Sequence, residues 1–143
     1  MPSILIDTGV WYSLCDQRDR MVGDKSIGAI QKLIAAHSIA FPWPIAYETL
    51  RTRLVRNRLA LERFEQQLKS ARVEYVDDSP YRMDALALSI DSSLHRARPL
   101  SMVDCLMRIF MDDADTRIRY LVTFNVGDFA DICAKRKIEI WHA

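Results

Sequence analysis

The alternation of apolar and polar positions changes period repeatedly along the chain. Ile4-Leu5-Ile6 is a continuous apolar run that stops at Asp7, and such a run reads as a strand buried on both faces, as in a parallel sheet. Val10 to Leu14 begins a helix that fades in the polar stretch Asp16 to Arg20. From Asp24 to His37, the residues Ile27, Ile30, Leu33 and Ile34 recur at helical spacing, and His37 near the end suits the helix dipole. Ser38 to Phe41 is a short strand. Pro42 stops it, and Pro44 fits the first turn of a new helix that carries Glu48. Leu50, Leu54, Leu61, Phe64 and Leu68 extend an apolar stripe to Ser70 in two helices. Val73 to Val76 is a third strand, and Ser79-Pro80 opens a helix expected to turn Ala85, Leu86, Ile90 and Leu94 inward.

Ser101 precedes Asp104 by three residues, a spacing close to a capping box. It starts a mostly buried helix through Leu106, Met107, Ile109 and Phe110, which frays at Asp112, Asp113 and Asp115. Arg119 to Phe124 is the fourth strand. A short helix through Lys135 and a last strand, Lys137 to Trp141, complete the chain. Strands separated by helices throughout predict an α/β fold. The expectation is one domain over residues 1–143, a three-layer α/β/α sandwich with a mostly parallel, five-stranded sheet and right-handed crossovers.

Composition narrows the classes. A chain of 143 residues, half of them hydrophobic, is long enough for one real core. A formal net charge of +1 argues against general attraction to polyanions. Asp7 interrupts the first apolar run, so no signal peptide is expected, and no apolar stretch approaches a membrane span. Cys15, Cys105 and Cys133 show no paired spacing and read as free thiols of a reducing cytoplasm. Cys105 sits in an apolar helix, where packing explains it.

The chemistry lies in the acids. Asp7, Glu48, Asp104 and Asp128 each fall just past a strand or in the early turns of a helix that follows one. In open α/β sheets, ligands bind outside the carboxyl ends of the strands. Carboxylates gathered there repel one another unless a cation neutralises them. Oxygen ligands without histidine or cysteine suit Mg²⁺ or Mn²⁺. For Asp7 alone, a helix cap is the simpler account. Asp7-Thr8-Gly9 also has the form of an aspartic-protease triplet, but that chemistry needs two such carboxylates and the chain has one copy. A dehalogenase-type phosphatase would need a second Asp where Gly9 stands. The arginine-dense stretch Arg51 to Arg58 is either a solvated helix face or a set of phosphate contacts.

Four segments together resemble the PIN-domain ribonucleases, and within them the toxin halves of bacterial VapBC-type toxin–antitoxin pairs. They are Ile4 to Thr8, Tyr47-Glu48-Thr49, Leu100 to Asp104 and Val122 to Phe129, and they span nearly the whole chain. The resemblance implies a Mg²⁺- or Mn²⁺-dependent endonuclease of single-stranded or loop RNA that leaves a 3′-hydroxyl and a 5′-phosphate. Asp7, Glu48 and Asp104 would coordinate metal, and Asp128 would complete the acidic site. Thr8, Ser101 and Thr123 would orient the carboxylates or water. Asn125 departs from the family, where many relatives have an acid. Arg51 and Arg108 would either contact RNA phosphate or pair with the neighbouring acid. The resemblance further implies a cognate antitoxin, which often inserts a side chain into the acidic site, and a homodimer. Housekeeping RNA processing, or a PIN-like module that binds RNA or protein without cutting, is compatible with the same residues.

Overall fold

The computed structural model describes residues 3–16, 24–96 and 99–141. In chain order the strands are β1 (Ser3–Ile6), β2 (Ser38–Pro42), β3 (Val73–Val76), β4 (Ile118–Val122) and β5 (Glu139–Trp141). The helices are α1 (Thr8–Cys15), α2 (Asp24–Ala36), α3 (Trp43–Leu50), α4 (Arg58–Ser70), α5 (Arg82–His95), α6 (Met102–Asp112) and α7 (Val126–Arg136). The polar stretch beyond Asp16 lies outside the described residues.

The five strands are all parallel, in the order β3-β2-β1-β4-β5. The order reverses at β1. The chain first moves outward through β2 and β3, then returns to place β4 on the other side of β1. With right-handed crossovers, the helices of the two halves cover opposite faces of the sheet. The packing agrees: α1 meets α3 and α4, whereas α6 meets α5 and α7. Between β1 and β4 lies the switch point, where doubly wound sheets open a crevice at their carboxyl edge.

Central strands behave as their sequences require. Ile4, Leu5, Ile6, Ile39, Leu121 and Val122 are fully buried. Trp11 joins three elements, meeting Phe41 of β2 and Phe64 of α4 edge-on at 5.5 and 5.4 Å. A smaller apolar cluster of Ala85, Leu100, Cys105 and Leu106 fixes α5 to α6. Lys137 ends α7 with a left-handed φ of 57°.

The periodicity of α5 misled in one respect. Ala85 is buried, but Leu86, Ile90 and Leu94 face solvent, and so does Leu50 at the end of α3. A helical stripe of apolar residues reports a face that avoids water, and that face need not meet the chain's own core. Among the described residues, no helix is long and apolar enough to cross a membrane.

Candidate active site

Asp7 stands where β1 ends and α1 begins. Its backbone amide still pairs with Val122 of β4 at 3.0 Å, and its carbonyl accepts from Val10 and Trp11 at 3.1 Å each. The carboxylate is buried and both its oxygens are engaged. Oδ1 accepts from the Thr8 amide at 2.8 Å, capping α1, and Oδ2 accepts from the Thr123 hydroxyl at 2.8 Å. Thr123 in turn accepts from the Asn125 amide at 3.0 Å. Capping and site building are therefore one arrangement: the bonds that start α1 also aim the carboxylate. Burial pushes the Asp7 pKa up, the Thr123 and Thr8 bonds oppose that rise, and the charge of Asp128 adds to it.

Asp104 lies in the first turn of α6, where Ser101 caps the helix by accepting from the Asp104 amide at 3.1 Å. Its pKa is pushed up to about 6, first by burial, then by the negative charge of Asp7, with smaller contributions from Asp128 and Glu48, against a lowering hydrogen bond from Ser101. The other three acids are thus within electrostatic reach of Asp104. Glu48 is half-buried on α3 and Asp128 is buried in the first turn of α7. Asn125 is exposed, caps α7 without a side-chain hydrogen bond, and offers its backbone carbonyl to the Asp128 amide at 3.1 Å.

Among the described residues, no three His, Cys, Asp or Glu side chains form a closed metal cluster. The donor set nevertheless fits a hard cation. Mg²⁺ keeps several of its waters and binds through one or two carboxylates, so a preformed all-protein cage is not required. The donors are oxygens throughout. The Thr8 hydroxyl, which lies beside Asp7, is buried without a hydrogen-bond partner, an orphan that a hydrated ion can satisfy.

The expected phosphate contacts divide. Arg51 is exposed where α3 ends. Arg108 is not available to phosphate. It is buried, with a bidentate pair to Asp131 of α7 at 2.8 and 2.7 Å and a further bond to the Asp128 carbonyl at 2.6 Å. A guanidinium one helical turn beyond Asp104 thereby holds the backbone of Asp128. Asp131 was missed in the sequence, because nothing local marks a partner 23 residues away.

No protein-family model matches the sequence, and no curated protein matches it. Solved structures do match in fold. A chain of VapBC2 from Rickettsia felis, crystallised with a DNA fragment from its promoter, aligns with a TM-score of 0.62 at 16% identity, covering 98% of each chain. A chain of DNA-bound VapBC from Salmonella typhimurium aligns with a TM-score of 0.58 at 17% identity, covering 99% of this chain and 98% of that one. The fold is the PIN-like fold that the sequence motifs imply.

Two outcomes follow from this geometry. Asp104 has an ordinary value of 3.8 and a folded value of about 6, so between them the folded protein holds more proton than the unfolded one. Stability without metal falls as pH rises through that window. Asp104→Asn is expected to raise the urea midpoint at pH 7.5 and to leave it nearly unchanged near pH 4. The Arg108–Asp131 pair is asymmetric, with Asp131 69% exposed and Arg108 only 10%. Asp131→Ala leaves a buried guanidinium short of its carboxylate and should cost more than about 1.5 kcal/mol. Arg108→Met returns Asp131 to water and should cost less, and urea unfolding of both variants reads the order.

Proposed function

We propose that the chain is a Mg²⁺- or Mn²⁺-dependent endoribonuclease, the toxin half of a VapBC-type toxin–antitoxin pair. The observation that carries this reading is the gathering of Asp7, Glu48, Asp104 and Asp128 about the switch point of a PIN-like sheet. Burial and mutual repulsion work against these charges, and a divalent cation relieves both. The fold likeness to chains of two VapBC complexes supports the same reading.

Asp7, Asp104 and Glu48 would hold the cation, with Asp128 as the fourth acid because it is buried whereas Asn125 is exposed. When bound, the cation supplies an activated water and offsets charge on the phosphodiester. The chain's own work is positional. Thr123 and the Thr8 amide hold both oxygens of Asp7, Ser101 fixes the turn carrying Asp104, and Arg108 sets α7 against α6. Arg51 would meet an RNA phosphate beyond Glu48. The partner would be a cognate antitoxin, and the compartment a reducing cytoplasm, in keeping with three buried free thiols.

Self-association also has an observation behind it. Met83, Leu86, Ile90 and Leu94 form an exposed apolar stripe on α5, with Met83 and Leu94 at least 70% exposed. We infer a homodimer through this face, so light scattering of the isolated protein should give twice the 16.6 kDa chain mass. A chain-sized mass at micromolar concentration would remove that inference.

The decisive test is cleavage of a mixed RNA pool with Mn²⁺, with EDTA, and by Asp7→Asn. Cleavage should require metal and fall about 100-fold or more in the variant, a loss of roughly 2.7 kcal/mol of transition-state stabilisation. Folded, partner-free protein that neither binds metal nor cuts RNA would favour the non-cleaving module instead.

A further inference from the structure

Three large aromatic side chains lie in water near the acidic edge. Trp43 is 43% exposed, Tyr47 64% and Tyr75 51%. Trp43 and Tyr75 stack nearly parallel, with centroids 5.3 Å apart and planes at 19°. Behind them, Phe41 meets Tyr75 edge-on at 5.9 Å and Trp11 at 5.5 Å, so the stack is anchored in the core.

Their position ties them to the site. Trp43 opens α3 directly after the carboxyl end of β2, and Glu48 is carried by the same helix. Five residues of helix rise about 7.5 Å and turn about 140°, so Trp43 and Glu48 leave α3 on different faces. Arg51, exposed, caps the far end of the same helix. Stacked, exposed aromatic faces match the chemistry of unpaired nucleobases, which present a π-face whatever their identity.

We propose that Trp43 and Tyr75 form a stacking platform for an unpaired base of single-stranded RNA, at the carboxyl edge of the same sheet and on the helix that also carries Glu48. The inference rests on the ribonuclease reading and adds to it a determinant for unpaired substrate. Trp43 extends the stack of Tyr75, so a base laid on the indole continues an existing column of rings.

The test is binding of short single-stranded oligoribonucleotides to the full chain in EDTA, followed by anisotropy of a labelled RNA and by tryptophan emission. Trp11 is fully buried, whereas Trp141 is half-buried beside Thr123, so the share of RNA-dependent quenching due to Trp43 is read as the difference between wild type and Trp43→Phe. Trp43→Phe should keep affinity within a few-fold and lose most of the quenching. Trp43→Ala and Tyr75→Ala should bind about 10- to 100-fold more weakly, with an unchanged salt slope, because stacking releases no counterions. Wild-type protein should lose affinity similarly for an RNA carrying abasic positions, a comparison that needs no variant to fold. Equal affinity of wild type and Trp43→Ala, or of intact and abasic RNA, would overturn the platform. A change of oligomeric mass in Trp43→Ala with RNA affinity intact would assign the face to a contact between chains. Metal-dependent cleavage by wild type with an unaltered KM in Trp43→Ala would remove the platform and leave the nuclease standing. Absence of both binding and cleavage in wild type would remove both.

Discussion

Carboxylates placed side by side in a half-dry crevice resist their own charges, and the edge between β1 and β4 is organised around that resistance. Asp7 is the centre of it. Its backbone remains in the sheet through Val122, its carbonyl starts α1, and its side chain is held from two directions by Thr8 and Thr123. Because each bond serves both the fold and the carboxylate, Asp7 cannot swing away from its neighbours to relieve repulsion. Burial raises the pKa of both Asp7 and Asp104, and the charge of Asp7 adds to the rise at Asp104, which reaches about 6. A site that is electrostatically unsettled when empty is one that a divalent cation improves.

The supporting frame is apolar on one side and ionic on the other. Trp11 locks α1, β2 and α4 through edge-on aromatic contacts, which fixes the direction in which α1 leaves Asp7. On the opposite face, Arg108 does the corresponding work with charge. It ties α6 to α7 through Asp131 and the Asp128 carbonyl. A buried guanidinium with a bidentate partner has little freedom, so the two acids on these helices are held at a set separation.

Around this centre the surface is uneven. Aliphatic residues collect along α5, and aromatic residues collect where α3 and β3 meet. The two faces have different chemistry, and the acidic edge adjoins the aromatic one through α3.

The sequence by itself determined the strand and helix order and the parallel sheet, and it singled out the acids proposed for the site. Those follow from local periodicity and from carboxylates standing where apolar strands stop. Ser101 was legible as a cap for the same reason, since capping is decided within a few residues. Tertiary structure decided the rest. Which face of α5 meets the core depends on where α6 lies, so periodicity alone sent Leu86, Ile90 and Leu94 inward when they face water. Arg108 read as either a phosphate contact or a partner of the neighbouring acid, because its actual partner, Asp131, is distant in sequence and close only after folding. For Asp7 the sequence offered a helix cap or a site acid, and only the fold shows one carboxylate capping α1 through Oδ1 while accepting through Oδ2 from Thr123, 116 residues away. Short-range physics is written along the chain, whereas the partners of a buried charge are chosen only when the chain closes on itself.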